Sequence, residues 1–141
     1  MSPAPPTPSL RILLVEDNEV NRMIATKLLE KRGHVVFAVE NGALAVDVTA
    51  RELFDLVLMD VQMPVMDGIT ATVRIREREG TSGTHLPIIA VTAHAMDKDR
   101  ERCLIAGMDE YLPKPIRTAD LFAAIARFCP PAVAAAVAVG A

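Results

Sequence analysis

Acidic, hydroxyl and amino side chains follow successive apolar runs in this sequence of 141 residues. Glu16 and Asp17 come directly after the first apolar run, and Asp60 comes after the third. Thr92 ends the fourth run, and Lys114 lies just beyond a weaker fifth run. Carboxylates can act as nucleophiles or bind a cation, a hydroxyl can donate a hydrogen bond, and an ammonium group can balance a negative charge. What these side chains can do together depends on the elements that carry them.

Short apolar runs alternate with helical patterns along the chain, which predicts β/α units that build a parallel sheet covered by helices on both faces. The continuous Leu, Ile and Val content of the runs is typical of strands buried on both faces. The predicted strands are Arg11 to Val15, Val35 to Val39, Leu56 to Met59, Ile88 to Thr92 and Glu110 to Leu112. The predicted helices are Glu19 to Arg32, Ala43 to Ala50, Ile69 to Arg78, Asp97 to Ala106 and Thr118 to Phe128.

The first predicted helix has an apolar stripe, because Val20, Ile24 and Leu28 recur at helical spacing and charged residues fill the other face. Gly33 supplies its C-terminal stop. In the third helix, Arg74, Arg76 and Arg78 are interleaved with Glu77 and Glu79. That pattern predicts a solvated helix face.

The two ends of the chain differ in composition from the part between them. Residues 1–9 carry four of the ten prolines and are predicted to form a disordered lead-in. The domain proper is predicted over residues 10–129, and residues 130–141 form a charge-free, Ala-rich tail or linker stub. The first residues lack the pattern of a signal peptide, and no apolar run reaches the ~20 residues that span a bilayer. We therefore expect a cytoplasmic location and no membrane insertion.

Charge and cysteine content argue against several kinds of partner. The formal net charge of -3 and the pI near 5.6 leave no basic footprint, so we expect no direct nucleic-acid binding. Cys103 and Cys129 are far apart and lack metal-ligand spacing. We expect both to be reduced, half-buried apolar residues instead of members of a disulfide or a zinc site.

In an open parallel sheet, the carboxyl ends of the strands lie along one edge, and ligands bind in the crevice outside that edge. Chain connectivity therefore brings the polar residues that follow the strands to one place, namely Glu16, Asp17, Asp60, Thr92 and Lys114. Carboxylates so close together repel one another unless a cation lies among them. Because the donors are oxygen atoms with room for water, we predict that the cation is Mg²⁺.

One segment makes the pattern more specific. Residues 59–64 read Met-Asp-Val-Gln-Met-Pro and are followed by Asp67 and Gly68, which combines a strand end, an acid, a proline loop and a glycine turn. Together with the other polar strand ends, this segment resembles the receiver domains of bacterial response regulators and hybrid histidine kinases. The resemblance covers about Leu10 to Phe128. It implies a flavodoxin-like, doubly wound (βα)5 fold with a five-stranded parallel sheet in the order 2-1-3-4-5.

The resemblance implies a role for each side chain. Asp60 would be the nucleophile that accepts a phosphoryl group from a phosphohistidine of a histidine kinase or histidine phosphotransfer protein. Mg²⁺ would be held by Asp17, Asp60 and the main-chain carbonyl of Gln62. Glu16 would act on the ion through water, and Lys114 would give a fixed positive charge to a phosphoryl oxygen. The chain is thus expected to be a signalling module that catalyses only its own phosphorylation and dephosphorylation.

The resemblance also implies a conformational switch. The Thr92 hydroxyl would move towards the phosphoryl group, and the Tyr111 ring would fill the space that Thr92 vacates. The face formed by the fourth helix, fifth strand and fifth helix would then change shape, and partners of the family read the state there. The peptide bond between Lys114 and Pro115 is expected to be cis, which would aim the lysine at the site.

Three positions are expected to tune this chemistry. Gln62 and His94 occupy positions that in the family flank the path of the hydrolytic water, and the small Ala93 leaves the phosphoryl pocket open. Many receivers have two aspartates where this chain has Glu16 and then Asp17. The longer first acid favours a metal contact through water.

Other functions share parts of the pattern. A haloacid dehalogenase-type phosphohydrolase also uses an Asp nucleophile with Mg²⁺, but its nucleophile follows the first strand and a second Asp lies two residues later. Here Asp60 follows the third strand, and Gln62 has that offset. A flavin-binding domain needs a Gly-rich or Ser/Thr-rich phosphate loop after the first strand, which this sequence lacks. A degenerate receiver used as a scaffold would not keep the full set of acids, threonine and lysine.

The origin of the domain has two interpretations. The motifs resemble those of receivers in hybrid sensor histidine kinases, and the Pro-rich and Ala-rich ends resemble linkers. Both features favour a receiver from a hybrid sensor histidine kinase. A stand-alone single-domain response regulator is the alternative. The sequence leaves open whether phosphorylation drives dimerisation.

Overall fold

The computed structural model describes residues 9–61, 66–80, 84–93 and 97–128, with only the main chain of residues 97–99. In chain order the elements are β1 (Arg11–Val15), α1 (Glu19–Lys31), β2 (Val35–Val39), α2 (Gly42–Arg51), β3 (Leu56–Asp60), α3 (Gly68–Glu79), β4 (Ile88–Thr92), α4 (Asp97–Ala106), β5 (Glu110–Pro113) and α5 (Thr118–Phe128). Every element predicted from the sequence is present, and each end lies within one residue of its predicted position. None of the helices in the described ranges is long and apolar enough to cross a bilayer.

The strands pair in parallel in the order β2-β1-β3-β4-β5, as predicted. From the edge strand β2 the chain passes over β1 to reach β3, so the direction of strand addition reverses at β1. The register pairs Val15 of β1 with Met59 of β3, and Asp60 with Val91 of β4. Such a reversal opens a crevice at the carboxyl ends of the strands. The crevice therefore lies between β1 and β3, beside Glu16 and Asp60.

Side chains of the central strands alternate between two apolar layers, because successive strand residues point to opposite faces of a sheet. The layer beneath α2, α3 and α4 includes Leu13 and Val57, and the layer beneath α1 and α5 includes Leu14 and Leu58. Every residue of β3 and β4 is buried. Each fully buried aliphatic side chain contributes roughly 1.5–3 kcal/mol, so the two layers hold the central strands firmly in place.

The face that α1 turns towards the sheet is not the predicted apolar stripe. Val20 and Ile24 are 57% and 53% exposed, whereas Ala25 and Leu29 are buried. The small side chain of Ala25 lets the helix lie close to the sheet, and Leu29 fills the apolar layer one turn later. An apolar flank therefore stays on the surface of α1, close to the carboxyl edge of the sheet.

The prediction of a solvated face on α3 is wrong for Arg76 and Glu79, whose side chains are only 16% and 12% exposed. Arg76 is partly buried and donates from Nε to the carbonyl oxygen of Gly107 at 2.9 Å. Its guanidinium also pairs with Glu79 at 2.7 Å and with Asp109 at 2.9 Å. Asp109 in turn accepts the main-chain N–H of Ile88 at 2.8 Å. This network ties the end of α3 to the turn before β5, at the opposite end of the sheet from the acidic residues.

The structure describes one of the two cysteines. Cys103 is fully buried in the apolar layer beneath α4, and not half-buried as predicted, because its small side chain faces the sheet. It forms no disulfide within the described residues. Cys129 lies outside the described residues.

One histidine that follows no sequence pattern is buried in the turn between α1 and β2. The Nδ1 atom of His34 accepts a hydrogen bond from the main-chain N–H of Leu10 at 3.2 Å. Burial lowers the pKa of His34, and the nearby Arg32 guanidinium lowers it further. The neutral imidazole therefore ties the start of β1 to the end of α1.

Acid should weaken the fold through His34. The unfolded chain keeps the ordinary histidine pKa near 6.5, so it binds a proton more readily than the folded protein, and stability falls as the pH drops through that value. His34→Asn keeps a hydrogen-bond acceptor but does not titrate. We expect the free energy of unfolding of the wild type, relative to His34→Asn, to decrease between about pH 7.5 and about pH 5 in urea denaturation. A constant difference over this range would contradict the assignment.

Candidate functional site

The segment after β1 presents two acids side by side. The main-chain N–H of Glu16 donates to the carbonyl oxygen of Val39 at 3.0 Å, so Glu16 continues the line of the strand and is buried. Its carboxylate accepts the N–H of Asn18 at 3.1 Å. Asn18 also caps α1, since its side chain accepts the N–H of Asn21 at 2.9 Å. The segment is therefore held at both ends, with Asp17 exposed between them.

Asp60 is the last residue of β3 and only 2% exposed. Strand pairing continues past it, because the N–H of Val61 donates to the carbonyl oxygen of Val91 at 3.0 Å. Gly68, at the start of α3, packs against this strand end and donates its N–H to Val61 at 3.0 Å. A Cβ atom on Gly68 would lie 2.3 Å from the carbonyl oxygen of Asp60. Glycine is thus required for α3 to begin this close to the acid.

Lys114 reaches the same carboxylate from the β5 side of the crevice. Its Nζ atom lies 3.0 Å from Oδ2 of Asp60 and 3.3 Å from Oε1 of Glu16. The main-chain N–H of Lys114 donates to the carbonyl oxygen of Thr92 at 2.8 Å, which holds the residue beside the end of β4. The peptide bond between Lys114 and Pro115 is cis, as expected. One ammonium group therefore bridges two buried carboxylates.

Burial and neighbouring charges shift the pKa values of two of these groups. Burial raises the pKa of Glu16 from the ordinary 4.5 to about 6. The hydrogen bond from Asn18 opposes this rise, and the negative charge of Asp60 adds to it. Burial by itself would lower the pKa of Lys114, but the hydrogen bond and charge of Asp60, together with Glu16, outweigh it and raise that pKa. Lys114 is thus a fixed positive charge beside carboxylates that repel each other.

The three acids form a cluster that fits a divalent cation. One carboxylate oxygen from each of Glu16, Asp17 and Asp60 lies within 4.8 Å of the other two. Two of the acids are buried and Asp17 is exposed, so a cation among them would have protein oxygens on one side and water on the other. In the described part of the chain, no thiol or imidazole joins the cluster. An oxygen-only donor set with access to water suits Mg²⁺.

The two predicted switch residues lie on neighbouring strands. Thr92 is buried at the end of β4, one residue beyond the strand partner of Asp60. Tyr111 is half-buried on β5, where it pairs with Ala90. The guanidinium carbon of Arg100 on α4 lies 5.3 Å from the centroid of the Tyr111 ring, within the range of a cation–π contact. The aromatic ring is therefore in contact with both α4 and the sheet.

The three tuning positions are only partly described. Ala93 is exposed directly after β4. Gln62 and His94 lie outside the described residues, and so does the carbonyl group that Gln62 was expected to provide for Mg²⁺. The roles of these residues stay predictions.

Sequence reasoning missed an arginine that contacts the acidic segment. The guanidinium of Arg22 on α1 donates to the carbonyl oxygen of Glu16 at 2.9 Å and lies 3.5 Å from that of Asp17. An arginine at the start of a helix gives no signal by itself, because its partners here are main-chain atoms. The close packing of Gly68 was also missed, although the Asp-Gly pair did indicate a turn.

Comparison with known proteins identifies the family of this chain. A family model described as the response regulator receiver domain matches residues 12–126. The chain belongs to this family. Its five parallel strands in the order 2-1-3-4-5 agree with that assignment. The alternative of a haloacid dehalogenase-type phosphohydrolase loses its support, since Asp60 ends β3 and not β1.

The curated relatives of this receiver are much longer sensor kinases. It is 49% identical over 112 residues to the sensor histidine kinase GacS of Pseudomonas protegens, which covers 79% of this chain and 12% of that protein. It is 42% identical over 120 residues to hybrid signal transduction histidine kinase I of Dictyostelium discoideum, which covers 82% of this chain and 7% of that protein. The chain thus spans a small part of the length of these relatives.

Two solved receiver domains closely match the structure. The receiver domain of sensor histidine kinase PA1611 from Pseudomonas aeruginosa has a magnesium ion coordinated in its active site cleft; the TM-score is 0.78 at 43% identity, over 86% of this chain and 98% of that one. The receiver domain of the response regulator Ssk1 from Saccharomyces cerevisiae was crystallised with the histidine phosphotransfer signalling protein Ypd1. Its TM-score is 0.81 at 31% identity, over 86% of this chain and 90% of that one.

Substitution of Gly68 should show how tightly α3 packs on the strand end. In Gly68→Ala the new methyl group meets main-chain atoms of β3, so α3 must shift, and we expect a loss of about 2 kcal/mol or more in the free energy of unfolding. Gly80→Ala is a matched control, since its Cβ would meet Glu77 at 3.1 Å and should cost under about 1 kcal/mol. Urea denaturation measures both, and equal losses would contradict the packing argument.

The metal-free receiver should gain stability when Glu16 is made neutral. Because its folded pKa of about 6 exceeds the ordinary 4.5, Glu16 favours folding below the lower value and loses that contribution as the pH rises through the higher one. In EDTA at about pH 7.5, Glu16→Gln should raise the free energy of unfolding by about 1–2 kcal/mol. The gain should shrink towards pH 4.5, where both proteins are neutral at this position. A gain that is independent of pH would argue against charge burial as its cause.

Proposed function

We propose that this chain is the phosphoacceptor module of a two-component phosphorelay, and that Asp60 takes a phosphoryl group from a phosphohistidine. The observation that carries the proposal is the environment of one carboxylate. Asp60 is buried, its Oδ2 atom lies 3.0 Å from Lys114 Nζ, and oxygens of Glu16 and Asp17 are within 4.8 Å of it. A carboxylate held in this way has a fixed orientation, which a nucleophile towards phosphorus needs.

Transfer would proceed by in-line attack. One carboxylate oxygen of Asp60 forms a bond to phosphorus while the bond from phosphorus to the donor imidazole nitrogen breaks, and the product is an acyl phosphate. The ammonium group of Lys114 already contacts the Asp60 and Glu16 carboxylates. After transfer, this ammonium group would contact a negatively charged phosphoryl oxygen. The hydroxyl of Thr92, on the next strand, would donate to another of these oxygens.

Mg²⁺ would be held by Asp17 and Asp60, with Glu16 acting through water and Gln62 expected to add its carbonyl group. When bound, the ion would offset the negative charge of the phosphoryl group. Glu16 and Asp17 would hold the cation next to Asp60, and so help to orient this acceptor. The magnesium ion in the cleft of the PA1611 receiver domain supports this choice of metal.

The donor must present a histidine to a carboxylate at the base of the crevice, so its surface has to cover the neighbouring flank. The apolar residues Val20, Met23 and Ile24 of α1 are exposed on that flank. A groove of about 360 Å³ adjoins them and is lined by Ile24 as well as by Glu16 and Lys114 of the site. We infer that a histidine kinase or histidine phosphotransfer protein covers this surface. The co-crystal of Ssk1 with Ypd1 supports this class of partner.

The readout would be the face of α4, β5 and α5. Movement of Thr92 towards a phosphoryl group would free space beside Tyr111 and let its ring change position. Leu104 and Ile105 of α4 are exposed apolar side chains on the adjoining helix, suited to contact with a partner. Gln62, Ala93 and His94 would set how long the acyl phosphate lasts, which is the time available for this readout.

The parent protein would be a hybrid sensor histidine kinase. The relatives that share 42–49% identity with this chain are sensor or hybrid histidine kinases, and the PA1611 receiver domain also comes from a sensor histidine kinase. The ATP-dependent activity of such a parent would reside outside this chain. The receiver itself would catalyse only its own phosphorylation and dephosphorylation.

Incubation with MgCl₂ and acetyl phosphate, followed by intact mass spectrometry, tests the proposed function. We expect the wild type to gain one phosphoryl group and Asp60→Asn to gain none, because an amide cannot form an acyl phosphate. Asp47→Asn changes an exposed residue of α2 in the same way and should be phosphorylated as fully as the wild type. EDTA should prevent the reaction. An unmodified wild type, or equal phosphorylation of Asp60→Asn, would overturn the proposal.

A further inference from the structure

Arg22 contacts the acidic segment from the side of α1. Its Nη1 atom donates to the carbonyl oxygen of Glu16 at 2.9 Å and lies 3.5 Å from the carbonyl oxygen of Asp17. The arginine also belongs to the first turn that Asn18 caps, since its main-chain N–H donates to the Asn18 carbonyl oxygen at 2.9 Å. One side chain thus joins the capped helix to both acidic residues.

The other contacts of the acidic segment fix Glu16 but not Asp17. The Glu16 carboxylate accepts the N–H of Asn18 and approaches Lys114, which fixes the first acid. Asp17 is exposed, so neither packing nor burial holds it in place. Rotation of the peptide unit between the two acids would move the Asp17 carboxylate, and Arg22 is placed to oppose that rotation.

We propose that Arg22 is a positioning residue, which holds the carbonyl groups of Glu16 and Asp17 so that their carboxylates stay beside Asp60 for a divalent cation to contact. The inference rests on the proposed function, since it requires that the cluster of acids binds Mg²⁺. Arg22 itself would touch neither the ion nor the phosphoryl group.

Two effects of Arg22 on cation binding have opposite signs. Its positive charge near the acids repels a cation and weakens binding, whereas its hydrogen bonds keep the ligands in place and strengthen binding. Charge at a partly exposed position is screened by water and salt. Loss of a group that orients metal ligands typically costs about 10- to 100-fold in affinity. Positioning should therefore dominate, and removal of the arginine should weaken binding even though it removes a repulsive charge.

Titration of ¹⁵N-labelled protein with MgCl₂, followed through the amide signals of Asp17 and Asp60, tests the inference directly. We expect the Mg²⁺ dissociation constant to rise about tenfold in Arg22→Met. Arg22→Lys keeps the charge, but its ammonium nitrogen ends one bond short of the position of Nη1, the atom that contacts both carbonyl groups. A rise of about two- to threefold is therefore expected. Lys27→Met removes the same charge from an exposed position on the same helix and should leave the dissociation constant unchanged.

The rate of phosphorylation by acetyl phosphate separates positioning from general damage. In Arg22→Met the half-saturating Mg²⁺ concentration should rise by the same factor as the dissociation constant. At saturating Mg²⁺ the rate should return to within about twofold of the wild type, since the ion then restores the ligand positions. A loss that no Mg²⁺ concentration restores would indicate a structural defect and overturn the inference.

Failure of the inference can be told apart from failure of the proposed function. Equal or tighter Mg²⁺ binding by Arg22→Met, with normal binding and phosphorylation of the wild type, overturns only the role of Arg22. Absence of Mg²⁺ binding by the wild type overturns both. If circular dichroism shows that Arg22→Met does not fold, Arg22→Lys decides, and a wild-type dissociation constant in that variant overturns the positioning role.

Discussion

A carboxylate buried as deeply as that of Asp60 needs a charge partner and hydrogen bonds, because desolvation of an unpaired charge is far more costly than one contact can offset. Lys114 meets this need at 3.0 Å, but it has to serve Glu16 as well. Burial is the main cause of the raised pKa of Glu16, and the negative charge of Asp60 adds to it. Three carboxylates thus lie around one ammonium group, an arrangement that suits a bound cation.

Main-chain contacts hold the charged residues of the site in place at three points. Strand pairing extends beyond Asp60 to Val61, so the acid is held by the sheet and not by a loop. The close approach of Gly68 fixes where α3 begins, and the main-chain bond from Lys114 to Thr92 anchors the lysine to β4. A ligand cluster that repels itself can stay ordered because rigid elements carry its members, while stability comes from the apolar layers on both sides of the sheet.

The two ends of the sheet are organised in different ways. At the amino end, the buried His34 and the network of Arg76, Glu79 and Asp109 satisfy their polar groups within the protein, which makes that end rigid. At the carboxyl end, three carboxylates lie together and the apolar flank of α1 is exposed. A polar network that is complete within the protein at one end, and acidic and exposed apolar side chains at the other, agree with the proposal that partners bind at the carboxyl edge.

The sequence by itself determined the order of elements, the parallel sheet and the set of polar residues at its carboxyl edge. The periodicity that distinguishes strands from helices can be recognised in short stretches of sequence. Ligands bind at the carboxyl ends of parallel strands, so the order of elements also predicts which polar residues lie at the site: Glu16, Asp17, Asp60, Thr92 and Lys114. Short spacing along the chain also placed Gly68 in a turn. None of these inferences depended on how a helix is rotated about its axis.

Helix rotation and contacts between distant segments were decided only by the tertiary structure. α1 buries Ala25 and Leu29 and leaves Val20 and Ile24 in solvent, because fit against the sheet outweighs the local apolar pattern. Arg76 finds partners 31 and 33 residues away, and His34 finds one 24 residues away. Arg22 lies close in sequence to its partners, yet they are carbonyl oxygens, which every residue carries. Sequence patterns record side-chain type and spacing, whereas these contacts depend on where folding places particular main-chain and side-chain atoms.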